Sequence, residues 1–110
     1  MFHMLSCFNL KAGEQIDTFT SSYLRFVEEM KAIDLVEASG SIGRRQNDTP
    51  MDTDDERDHE YFVIMEFRDR EQVDRAYAHI MQHFGPGDAA HDSVYTRVSE
   101  PVFICWQDLD

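Results

Sequence analysis

Tyr61-Phe62-Val63-Ile64-Met65-Glu66-Phe67-Arg68-Asp69 decides the fold. Side chains on a strand alternate between its faces, so Tyr61, Val63, Met65 and Phe67 share one face while Phe62 and Ile64 occupy the other. A strand apolar on both faces must be covered on both. At Asp69 the period changes. Asp69-Arg70-Glu71-Gln72 resembles a capping box, in which Asp69 accepts from the third-position amide and Gln72 reaches back. Val73, Ala76, Tyr77, Ile80 and Phe84 then recur at helical spacing, and Gly85-Pro86-Gly87 ends that helix.

Working outward, residues 47 to 59 gather Asp48, Asp52, Asp54, Asp55, Glu56 and Asp58 around Thr49-Pro50, with Met51 the only apolar residue. That composition predicts a solvated loop. Leu35 to Arg45 alternate weakly and contain Gly40 and Gly43, which suits a strand with a bulge or a closely approached backbone. Ile16, Phe19, Tyr23, Phe26, Val27 and Met30 predict a helix over about 14 to 32, with Glu14 and Asp17 in its first turn, where the helix dipole favours negative charge. Phe2 to Leu10 is an apolar strand closed by the Ala12-Gly13 turn. Downstream, residues 88 to 98 hold a further helical segment carrying Val94, Tyr95 and Val98 inward, and Pro101 opens a last strand, Val102 to Trp106.

The order strand, helix, strand, strand, helix, strand is the α+β, ferredoxin-like βαββαβ arrangement, here one domain over residues 1–110. Right-handed crossovers put the first and third strands side by side in a four-stranded antiparallel sheet, the fourth beside the first and the second beside the third. Two helices cover only one face of such a sheet. The other face is apolar as well and needs a partner, for which an identical sheet is the simplest choice, so a homodimer is expected.

The 110 residues carry 10 Lys and Arg against 22 Asp and Glu, for a net charge of −12. Such a surface repels nucleic acid and anionic membrane, because phosphate contacts require Lys and Arg. No apolar run approaches the ~20 residues that span a bilayer, and Met1-Phe2-His3-Met4 lacks the basic region of a signal peptide, so a cytoplasmic protein is expected. Cys7 and Cys105 both lie in apolar strands and read as buried free thiols; a disulfide between them requires the first and last strands to be neighbours.

Chemistry-bearing residues are few. His79 and His83 stand one helical turn apart, with His91 a possible third metal ligand, but Ile80-Met81-Gln82 between them leaves out the glutamate of the metalloprotease pattern. The acidic loop lacks the Gly and distal Glu of an EF-hand, so no metal is assigned. Tyr61-Phe62-Val63 lacks the Lys/Arg and Gly of an RNA-recognition motif. There is no Gly-rich phosphate loop, Ser/His/Asp set or Cys-x-x-Cys pair, and no cofactor is expected. If the odd-numbered residues of the first strand face the barrel, His3, Leu5, Cys7 and Asn9 line a mostly apolar cavity with two polar groups.

Phe8-Asn9-Leu10-Lys11-Ala12-Gly13, Glu66-Phe67-Arg68-Asp69, Ala76-Tyr77 followed by His79, and the closing Val102-to-Trp106 strand together resemble the stress-responsive dimeric α/β-barrel family. The resemblance covers most of the chain apart from the acidic loop. It implies a homodimer whose two sheets face each other as a barrel. Members often carry a His four residues before the position of Phe8; here that residue is Met4, with His3 on the opposite face. Asn9, Trp106 and a helix histidine are also similar to the Asn, Trp and His of cofactor-free haem degradation, although that Trp lies on the second helix, where this chain has Tyr77.

The resulting expectation is a protein that binds a small, partly apolar molecule in the barrel cavity, with Leu5, Cys7, Tyr77 and Trp106 as ligand-binding residues. A cofactor-independent monooxygenase-like or isomerase-like enzyme is the alternative, with His79 or His3 as acid/base and Asn9 orienting the substrate. A purely structural dimerisation module is the third reading.

Overall fold

A computed structural model describes the whole chain, Met1 to Asp110. Its elements are β1 (Phe2–Leu10), α1 (Ile16–Ala32), β2 (Ala38–Ser39), β3 (Gly43–Arg44), β4 (Tyr61–Phe67), α2 (Arg70–Met81), α3 (Asp88–Tyr95) and β5 (Val98–Gln107). The sheet is antiparallel in the order β2-β4-β1-β5, with β3 also paired to β4. This is the expected ferredoxin-like α+β order, with one refinement. The second strand is broken into two short pieces, both paired to β4, because the chain leaves the ladder at Ser41-Ile42, after Gly40 N has donated to Ile64 O at 2.9 Å.

Register sorts the side chains into two faces. Phe2 is opposite Phe67, Met4 opposite Met65 and Phe8 opposite Tyr61, and this face lies under the helices. The α1 residues Phe19, Tyr23, Phe26, Val27 and Met30 are buried against it, as their three-and-four spacing requires. The molecule measures 41 × 41 × 19 Å. Nineteen ångströms accommodates one sheet and one helix layer and nothing more, since a helix with its side chains is about 10 Å across. The second sheet face therefore has no helix layer of this chain upon it, and only its Cys7 end is covered, by the segment around His59.

Several sequence expectations are corrected at the ends and edges. α1 begins at Ile16, and Glu14 instead accepts a 2.8 Å bond from Arg97 Nη1. β5 starts three residues before Pro101, which lies inside the strand. Cys7 pairs with Val102 and Asn9 with Ser99, so Glu100 and Pro101 together oppose Phe8 as a bulge, with Glu100 at φ 55°. An edge-strand bulge tolerates a residue without an N–H.

Tyr77 (68% exposed), Phe84 (67%) and Tyr95 (54%) do not join the core. Tyr77 lies on the flank of α2, Phe84 follows the helix, and the short α3 turns only Ala90 fully inward. Cys105 is exposed on edge strand β5, contrary to the expected buried thiol, while Cys7 is buried. The first and last strands are indeed neighbours. Cys105, however, pairs with Met4 and Cys7 with Val102, so the thiols point to opposite faces and no disulfide can form between them.

α2 begins as its sequence predicts: Asp69 Oδ1 accepts from Gln72 N at 2.9 Å. The Gln72 amide reaches back to Arg68 N–H at 2.7 Å. Gly87 caps the start of α3 at a φ of 86°, a left-handed backbone that favours glycine, and a Cβ there would press on Met30 Sδ at 3.0 Å.

Candidate functional site

The uncovered sheet face is built from three strands. His3 on β1 stands between Glu66 on β4 and Trp106 on β5; Leu5 stands between Ile64 and Ile104; Cys7 stands between Phe62 and Val102. The odd-numbered residues of β1 thus share the face away from the helices. Leu5, Ile64 and Ile104 form an apolar row across it. At one end the His3 imidazole stacks on the Trp106 indole, with ring centroids 5.1 Å apart and planes inclined by 22°. His3 Nε2–H donates to Asp108 Oδ1 at 2.8 Å. A carboxylate can only accept, so Nε2 is the donor in this bond, while Nδ1 faces Glu66 Oε2 3.7 Å away.

The other end of the face is closed by the acidic segment. Asn9 Oδ1 accepts from Glu60 N at 2.8 Å, and His59, itself buried, donates from Nε2 to Glu100 O at 2.7 Å. Burial pushes the Cys7 thiol above its usual range, against the opposing charges of Arg57 and Arg45. The segment is not the bare solvated loop its composition predicts, because Arg45 organises it. Arg45 forks onto both oxygens of Asp52 at 2.8 Å each and also donates to the carbonyls of Asp54 and Arg57. Arg57 in turn holds Asp54 at 2.7 Å.

The Arg45 hydrogen bond holds the Asp52 carboxyl below its ordinary 3.8, and the Arg57 hydrogen bond does the same for Asp54. A depressed carboxyl stabilises the fold above its unfolded pKa, and that contribution is lost as pH falls through the lowered value. Titration from about pH 6 to about pH 2 is therefore expected to release the loop only below about pH 4. The amide resonances of Asp52 and Glu56 should collapse towards random-coil positions while those of β4 hold. Loop resonances that stay native to about pH 2 would count against the Arg45 staple.

The remaining predicted residues do not converge on this face. His79 sits on the helix side of the sheet, where its Nε2–H donates to the Pro86 carbonyl and ties off the end of α2. His83 lies beyond that helix at φ 58°. His91 packs between the Phe26 and Tyr95 rings, and burial lowers its pKa. No group of three or more His, Cys, Asp and Glu is arranged to hold a metal ion. His3, Leu5 and Trp106 share the uncovered part of the face; Cys7 and Asn9 lie on the same side of the sheet but under the acidic segment, with Cys7 fully buried, whereas Tyr77 and His79 belong to the helix layer. Asn9 is six residues along the strand from His3, about 20 Å within one subunit, and its Oδ1 is taken up by Glu60 N. Sequence reasoning missed Glu66 and Asp108. The signal for Glu66 was there: it is the one charge in the alternating stretch from Tyr61 to Phe67.

No family model matches the sequence, and no curated protein matches it. Solved structures do match the fold. A cofactor-independent oxygenase, SnoaB from Streptomyces nogalater, is similar with a TM-score of 0.67 at 13% identity, over 99% of this chain and 93% of that one. A dabb family protein with a ferredoxin-like fold from Mesorhizobium loti is similar with a TM-score of 0.62 at 18% identity, over 99% and 97% of the two chains. A dimeric ferredoxin-like protein of unknown function from Thermobifida fusca gives 0.59 at 12% identity, over 96% and 88%. At such identities the likeness shows the fold: this chain has the ferredoxin-like architecture to which the sequence resemblance pointed.

Proposed function

We propose that the chain forms a homodimer through its uncovered sheet face and binds a small, partly apolar molecule in the barrel so enclosed. The observation that carries this reading is the Leu5, Ile64 and Ile104 row, which ends at a His3 imidazole held by Asp108 and stacked on Trp106. An apolar wall with a few oriented polar groups is the usual lining of a small-molecule site. The Thermobifida fusca protein of this fold is dimeric, which supports the pairing.

Titration with an anilinonaphthalene sulfonate dye tests the site. Trp106→Ala is expected to weaken dye binding about tenfold through the lost aromatic contact, while Tyr77→Ala leaves it unchanged. Equal binding by the Trp106 variant and the wild type would remove the barrel from consideration and favour a purely structural dimer.

A second reading, a cofactor-independent oxygenase-like or isomerase-like enzyme, is favoured by the Asp108 to His3 bond. That bond holds an imidazole in one orientation at the end of the apolar row, with its Nδ1 3.7 Å from Glu66 Oε2, and a positioned imidazole is the commonest group for proton transfer. SnoaB is a cofactor-independent oxygenase of the same fold. His3 would take the proton from an acidic C–H or O–H of the substrate, and Asp108 would hold the resulting imidazolium. On this reading His3→Gln abolishes solvent deuterium exchange into an acidic ketone and His79→Gln does not.

A further inference from the structure

A separate cleft of about 270 Å³ opens at the sheet edge, between α1 and the β2–β3 segment. It lies on the helix side of the sheet and is reached without entering the barrel. Ile16 and Leu24 of α1 and Ile42 of the β2–β3 link supply its apolar walls, and the rings of Tyr23 and Tyr61, both buried, contribute the rest of the apolar lining. The Tyr23 hydroxyl is taken up by Ser39 Oγ at 2.6 Å. Arg44 is the one charged residue lining the cleft.

That guanidinium has neighbours on Tyr61 and Glu60. It stands 5.5 Å from the Tyr61 ring centroid, Nη2 donates to Tyr61 Oη at 3.2 Å, and Nε faces Glu60 Oε1 at 3.3 Å. These contacts orient the plane and leave Nη1 free to donate. An oriented arginine with spare N–H groups suits a carboxylate or phosphate oxygen pair, and the small apolar cleft beside it favours the more compact and less hydrated of the two, a carboxylate with a hydrocarbon body. The volume sits just below the ~300–1,000 Å³ typical of drug-sized ligands, which limits the body to about one ring with a short substituent.

We propose that this cleft binds a small aromatic or short-chain carboxylic acid, its carboxylate on Arg44 and its apolar body against Ile16, Leu24 and Ile42. The site is distinct from the barrel and does not depend on dimerisation.

Benzoate and its neutral counterpart benzamide, titrated separately into isotopically labelled protein, test the assignment. Benzoate is expected to shift the amide resonances of Thr20, Leu24 and Ile42. Arg44→Gln should weaken its binding about tenfold, to the level of benzamide on the wild type, because a charge-assisted hydrogen bond is lost. Arg44→Lys, which keeps the charge but not the fork, should fall between. Arg44 is largely exposed, so both variants retain the fold, and their unperturbed β4 resonances will show it. Benzoate shifts confined to Leu5 and Ile104 would assign the acid to the barrel and overturn the cleft. Unchanged affinity in Arg44→Gln, or no cleft shift at tens of millimolar, would overturn it equally.

Discussion

Gln72→Leu is expected to destabilise the fold by about 3 kcal/mol and to lower Tm by more than about 10 °C. Gln72 is fully buried at the first turn of α2. Its side-chain carbonyl accepts from Arg68 N at 2.7 Å, and its amide donates to Asp34 O at 3.1 Å and to Glu37 Oε1 at 3.2 Å. One side chain thus ties the start of α2 to the end of β4 and to the link between α1 and β2. Leucine fills nearly the same volume, so packing survives, but the Arg68 N–H and the Asp34 carbonyl both lose the Gln72 side chain at once, while Glu37 keeps Arg68 Nη1 at 2.8 Å. Each unsatisfied group costs about 1–3 kcal/mol, against a total stability of about 5–15 kcal/mol for a domain. A thermal melt followed by circular dichroism gives the answer, and a shift within about 2 °C would mean that the network contributes little.

Ile104→Arg is expected to convert the proposed dimer to a monomer without unfolding it. Ile104 (41% exposed) and Ile64 (37%) flank Leu5 in the centre of the uncovered face. In a two-fold dimer the same patch meets itself, so each substitution acts twice. Two unpaired guanidiniums would then be buried against apolar side chains, at a cost of several kcal/mol. That corresponds to a dissociation constant raised by at least about a thousandfold. The isolated subunit already leaves Ile104 partly in water, so its fold has little reason to change. Light scattering on the eluting protein reads the mass, and an Ile104→Arg protein that remains dimeric would move the interface elsewhere.

Both predictions follow from features that the sequence revealed unevenly. The alternation in Tyr61 to Phe67 fixed which residues face the helices, and the two-faced apolarity of β1, β4 and β5 exposed the lack of a second covering layer. The Asp69 cap and the Gln72 reach-back could be read from four residues, because capping is local chemistry. What could not be read was long-range. Asp108 lies 105 residues from His3, and only the pairing of β1 with β5 brings them together. The order in the acidic loop depends on Arg45, which precedes the carboxylates and has no periodic signature. Tyr77 and Phe84 have the spacing of a core stripe, yet α2 reaches the sheet chiefly through Gln72, Val73, Ala76 and Ile80, and both aromatics remain in water. Periodicity specifies a helix face but not how much of it a neighbour covers.

The central claim is that the second face of the sheet is closed by another copy of this chain. Native mass spectrometry at micromolar concentration tests it most directly. A homodimer gives a single species at twice the 12.9 kDa subunit mass, whereas a monomer at every concentration would mean that no second copy covers this face.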